Sequence, residues 1–149
     1  MSNNTLKLKI ITPERTVYQD EVFEVVVPTE AGEITVLPDH MPLVSVIKTG
    51  EIRIRKEGQP EPVPFSVSKG ILQVRASEKE AGIESEVIIL AIRSELAEDI
   101  NLERAKEAYE MAEKAMKSAE ETSPEEYEAY RKLHDKEYNR IQVAEKDKK

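Results

Sequence analysis

At 149 residues the chain has room for one full domain, or a smaller one with an appendage, and with 39% hydrophobic but only 5% aromatic residues any core is aliphatic. A net charge of -8 and a sequence pI of about 5.0 repel nucleic acid, and the absence of cysteine excludes disulfides, thiol catalysis and Cys-based zinc sites. No apolar run reaches signal-peptide length at the N-terminus or the roughly 18 residues of a membrane span, so membrane association is expected only through a partner.

The first two-thirds of the chain reads as short strands. Leu6-Lys7-Leu8-Lys9-Ile10 alternates apolar with basic residues, the period-2 pattern of a half-buried strand. Runs at 23–27, 33–37, 43–47 and 51–55 follow, then 65–67, 71–74 and 87–91, most of them rich in β-branched residues. Pro13, Pro28, Gly32, Pro38, Gly50, Gly58, Pro60, Gly70 and Gly82 are expected in the turns between them. Short strands at such spacing predict a sandwich or barrel.

From about Asp99 glycine disappears and Ala, Glu and Lys take over. Leu102, Ala105, Tyr109, Ala112, Met116 and Ala119 form one helical stripe, with Asn101 as its expected N-cap. Ser123-Pro124-Glu125-Glu126 reads as a capping box with proline at the first helical position. It opens a second helix with Tyr127, Tyr130, Leu133, Tyr138, Ile141 and Ala144 near one side. The predicted layout is thus an all-β sandwich of about ten short strands (1–95) followed by a C-terminal antiparallel α-helical hairpin (96–149). The first stripe is half alanine and buries little area, so the hairpin is either a stable cap or an element that detaches to find another partner.

Catalytic chemistry is sparse. His40 lies beside Asp39 in Leu37-Pro38-Asp39-His40-Met41-Pro42, but no nucleophile or third member accompanies the pair, and a turn or contact role is expected. His134 sits among helix charges, and neither histidine has a partner at metal-ligand spacing. No Gly-rich phosphate loop is present, so neither an enzyme nor a metal site is expected. Lys132, Lys136 and Arg140 recur every four residues. That stripe either meets an acidic surface on a partner or pairs internally with Glu128, Asp135 or Glu137.

The segment GEITVLPDHMPLVSVIKTGEIRI (32–54) resembles the signature region of the ATP synthase epsilon subunit family. Matches continue in family order: Val67-Ser68-Lys69-Gly70-Ile71-Leu72-Gln73-Val74, Ile89-Leu90-Ala91, Ala97-Glu98-Asp99-Ile100-Asn101 running into Arg104-Ala105, and Asn139-Arg140-Ile141-Gln142-Val143-Ala144. The resemblance implies a ten-stranded sandwich that binds the gamma shaft and rests on the membrane c-ring, with Glu33 and His40 toward that ring. It also implies a regulatory hairpin that hinders ATP hydrolysis by reaching the catalytic alpha and beta subunits, and it gives Lys132, Lys136 and Arg140 a target there. The expected location is peripheral, on the cytoplasmic face of a bacterial plasma membrane, with the thylakoid stromal face as the alternative.

The departures from the family pattern bear on nucleotide. Some bacterial members bind ATP in the folded hairpin, and Glu95, Ile100, Asn101, Arg104 and Arg140 match those positions. Here Asn101 replaces an aspartate, Lys136 replaces an arginine and so loses its bidentate fork, and Met111 replaces another. No cofactor is expected, and at most weak ATP binding. Asp39 stands where the family has glycine and is expected to tolerate the left-handed turn, Lys69-Gly70 replaces Gly-Gly, and the charged stretch 76–86 is long. The alternatives are an ATP-sensing hairpin module and a stand-alone β-sandwich binding module.

Overall fold

The computed structural model describes residues 5–76, 83–121 and 123–147, without the side chains of residues 83 and 84. They form two compact units divided between Leu96 and Ala97. The first is a β-sandwich of β1 (Thr5–Ile11), β2 (Thr16–Val22), β3 (Glu24–Thr29), β4 (Gly32–Val36), β5 (Leu43–Ile47), β6 (Gly50–Arg55), β7 (Val63–Ala76) and β8 (Ile83–Leu96). Alternation does in β1 what the sequence predicts: Leu6, Leu8 and Ile10 are fully buried while Lys7 and Lys9 point outward. They join Val25, Val27, Ile52, Ile54, Leu72 and Ile89 in one aliphatic core.

The strand order is β2-β1-β8-β7-β5-β3-β4, with β6 pairing β3 and β7. Two of the segments read from the sequence, 65–67 and 71–74, belong to one strand, because β7 serves two neighbours along its length. Residues 63–67 pair with β6 and residues 70–74 with β5, while β8 lies along both halves. Gly70 marks the changeover. A Cβ there would stand 2.2 Å from the Leu90 carbonyl oxygen, so only glycine permits the approach of β7 to β8. Lys69, the other departure at this turn, is exposed and needs no space inside. Pro28, Gly32, Gly50 and Gly70 therefore lie within strands rather than between them.

β2 is a strand that alternation does not reveal. Its middle, Tyr18-Gln19-Asp20-Glu21, is polar because it is an edge strand bonded only to β1. It is fixed by Val22 in the core and by Tyr18, whose ring meets Phe65 edge-on at 5.3 Å.

The second unit runs from a short 3₁₀ turn (Ala97–Asp99) into α1 (Leu102–Ala119) and α2 (Pro124–Asp147). The cap at Asn101 forms as expected, and the box at Ser123 forms by half, since the Ser123 N–H donates to the Ala119 carbonyl rather than to Glu126. Asn101 Oδ1 accepts from the Arg104 N–H at 3.0 Å, and Ser123 Oγ accepts from the Glu126 N–H at 3.3 Å. The α1 stripe is as read, with Ala105, Ala112 and Ala119 buried. The α2 face differs. Tyr130, Leu133 and Tyr138 are exposed, and the buried residues are Glu137, Ile141, Val143 and Ala144. His134 shares that face, its ring stacked 4.2 Å from Tyr109.

Candidate functional site

The Leu37–Pro42 loop connects β4 to β5 and is pinned from inside. The buried Ser85 hydroxyl donates to the Pro38 carbonyl at 2.6 Å, and the His40 N–H closes a turn on the Leu37 carbonyl at 3.0 Å. His40 Nδ1 donates to the Met41 carbonyl at 2.7 Å, which fixes the ring and turns Nε2 away from that bond. Held this way, the loop exposes Leu37, Asp39, Met41 (78% exposed) and Pro42. Asp39 is not left-handed: among the described residues no non-glycine has positive φ, so the family glycine is replaced without backbone strain. Glu33, on β4, is exposed and bonded to Arg53 of β6 at 2.8 Å.

A second feature of the sandwich was not anticipated. Val46, Ile71 and Leu90 are cross-strand neighbours on β5, β7 and β8, and all three are about half exposed. Val44 and Ile92 extend the same outer face at 69% and 65% exposure. An apolar surface continuous over three strands is the kind that a partner covers. Its trace in the sequence is the unbroken run Val87-Ile88-Ile89-Leu90-Ala91-Ile92, which has apolar residues at both parities rather than alternating.

In the hairpin unit the basic stripe is partly spoken for. Arg140 Nη1 lies 2.7 Å from Glu137 Oε2 and Lys136 Nζ lies 3.3 Å from Glu137 Oε1. Lys132 is exposed near Glu128. Of the nucleotide-matching positions, Ile100 is buried in a small cluster with Ala97, Val143 and Ala144, Asn101 is occupied as a cap, and Arg104 is exposed. Glu95 lies in β8, in the other unit, with its carbonyl accepting from the Ser66 hydroxyl at 3.4 Å. Met111 is 71% exposed. Among the described residues no group of three or more His, Asp or Glu is placed to hold a metal. Residues 77–82 of the long charged stretch 76–86 lie outside the described residues.

A pinned, outward-facing loop, an open apolar sheet face and a charge-bearing helical hairpin define a protein whose chemistry is contact, a binding and coupling component. Residues 5–93 match the family described as ATP synthase, Delta/Epsilon chain, beta-sandwich domain. An ATP synthase epsilon chain of Desulforamulus reducens is 36% identical over 95% of this chain and 98% of its own length. That of Bacillus subtilis is 38% identical over 76% of this chain and 79% of its own. Among solved structures, a chain of the Euglena gracilis mitochondrial ATP synthase (OSCP/F1/c-ring) shares the fold at TM-score 0.63 and 20% identity, over 95% of this chain and 78% of that one. The chain belongs to the ATP synthase epsilon chain family.

Proposed function

We propose that the chain is the non-catalytic central-stalk subunit of an F-type ATP synthase, coupling the gamma shaft to the membrane c-ring and restraining ATP hydrolysis through its helices. The observation that carries this reading is the epsilon-chain likeness over 95% of the chain, which includes both the sandwich and the hairpin. Gamma covers the apolar face of Val44, Val46, Ile71, Leu90 and Ile92, because shaft and foot must stay attached under torque and a large apolar contact resists shear. The loop carrying His40, with Glu33 nearby in sequence, meets the ring. Its internal pinning supports this role, since a coupling contact needs a rigid backbone and exposed side chains.

The hairpin acts on the catalytic alpha and beta subunits, with Lys132, Lys136 and Arg140 toward an acidic surface there. We read it as closing without nucleotide. Arg140 and Lys136 are engaged by the protein's own Glu137, and Met111 supplies no cation where a phosphate grip would need one. The protein is peripheral, on the cytoplasmic face of a bacterial plasma membrane. Among the described residues no helix is long and apolar enough to cross a membrane, so attachment runs through the complex.

The test is affinity capture of the tagged chain from detergent-solubilised membranes of its source, with partners identified by mass spectrometry. Recovery of gamma, the catalytic subunits and the ring is expected. Recovery of none of them, from membranes in which the synthase is intact, contradicts the reading.

A further inference from the structure

The apolar face of the sandwich ends at a lysine on its β1 side. One row of residues in register across the sheet reads Val46, Ile71, Leu90 and Ile11, and the next reads Val44, Gln73, Ile88, Lys9 and Gln19. Cross-strand partners share a face and stand about 4.8 Å apart from strand to strand, so Lys9 lies where the apolar surface stops. A third row carries Glu21, Lys7, Glu86 and Arg75. Its charges are matched within the protein: Arg75 Nη2 lies 2.7 Å from Glu86 Oε2, and Lys7 stands in register between Glu21 and Glu86.

Lys9 is placed differently, since its neighbours in register, Gln19 and Ile88, are both uncharged. Its half-buried side chain lines a recess of about 180 Å³ with Lys7, Gln19, Arg75, Glu86 and Ile88. Small-molecule sites usually enclose roughly 300–1,000 Å³, whereas a recess of this size suits a single side chain. A partner laid over Leu90 and Ile88 strips water from the Lys9 ammonium. A cation that loses water without a counter-charge weakens the contact, and a facing carboxylate offsets that cost.

We propose that Lys9 anchors a carboxylate of the partner that covers the apolar face. An aspartate or glutamate side chain of that partner enters the recess and pairs with the Lys9 ammonium, while apolar side chains beside it lie on Leu90, Ile71 and Val46. The pair fixes register as well as affinity. Shifted by one row, the carboxylate meets either the apolar Leu90 and Ile11 or the like charges of Glu86 and Glu21, and both arrangements are unfavourable. The partner is gamma on the function proposed above. The inference rests on that reading and adds to it the chemistry of the facing residue and a fixed alignment of shaft on foot.

The test binds full-length variants to synthase from the source that has been stripped of this chain, with association and dissociation rates recorded. Lys9→Gln is expected to dissociate on the order of tenfold faster with its association rate nearly unchanged, because losing one member of a desolvated pair acts on residence. Lys9→Arg keeps the charge and is expected to stay close to the parent. Leu90→Gln probes the underlying reading separately and is also expected to shorten residence. If Leu90→Gln does so while Lys9→Gln dissociates like the parent, the anchor is wrong and the covered face stands. If Leu90→Gln binds like the parent, the face is not the contact and the proposal falls with it. A loss confined to the association rate marks long-range steering by net charge, and a loss in Lys9→Arg equal to that in Lys9→Gln shows that charge is not the cause; either result overturns the anchor.

Discussion

The sandwich and the hairpin are held by different means. Leu6, Leu8, Ile10, Ile52, Ile54, Leu72 and Ile89 are wholly shielded from water in the sandwich, so dispersion and the hydrophobic effect act over large side chains. The buried residues of α1 are three alanines, and α2 answers with a carboxylate as well as Ile141, Val143 and Ala144. A core of the first kind resists partial opening, whereas a seam of the second kind closes with little free energy to spare. One unit can thus serve as a rigid foot while the other changes its partners.

Substitutions sharpen this contrast, beginning inside the sandwich. Leu72→Ala, at a fully buried position, is expected to cost about 2–5 kcal/mol in chemical denaturation. A cost smaller than that of the hairpin substitution below would break the comparison. Gly70→Ala forces a methyl group against the Leu90 carbonyl and is expected to lower sandwich stability by about 1–3 kcal/mol. In the hairpin, Asn101→Ala removes the bond to the Arg104 N–H. It should cost about 1 kcal/mol, visible as lost helicity in the far ultraviolet with the sandwich transition unmoved.

The smallest effect is electrostatic. The Lys56 ammonium hydrogen-bonds Asp20 and holds its carboxyl below the ordinary 3.8, while Asp20 raises Lys56 above 10.5. A depressed acid stabilises the fold above its unfolded value and loses that contribution as pH falls through its folded value. A raised base stabilises below its unfolded value and loses the contribution as pH rises through its folded one. The pair therefore contributes fully between about 3.8 and 10.5. Asp20 is 41% exposed, so solvent screening keeps the contribution under about 1 kcal/mol. Melting of Lys56→Met against the parent is expected to show a small difference at neutral pH that vanishes in acid. A difference that does not shrink as pH falls below 3.8 would refute the assignment.

What the sequence discloses tracks how local the cause is. The alternation of β1, the caps at Asn101 and Ser123, and the alanine stripe of α1 are set within a few residues, and each is found where it was read. Long-range causes are silent. β2 hides because its polar centre suits an edge whose pairing only β1 reveals. Gly70 reads as a turn until β8 is seen pressing against it. Hydrophobicity read Ile141 and Ala144 of α2 correctly but overrated Tyr130 and Leu133, which are exposed, and missed His134, which stacks on Tyr109, and Glu137, which ion pairing makes tolerable when buried. In the candidate site, the loop around His40 was legible as a motif, but its anchoring by Ser85 required two segments 47 positions apart to meet.

The central claim is the division of labour, with the sandwich attaching and the hairpin regulating. Its most direct measurement is ATP hydrolysis by synthase purified from its source with either the full chain or a chain ending at Leu96. The account predicts that both enzymes retain gamma and the ring in full amount, and that hydrolysis is faster without the hairpin. Loss of the shortened chain from the enzyme, or an unchanged rate with it in place, would contradict that division.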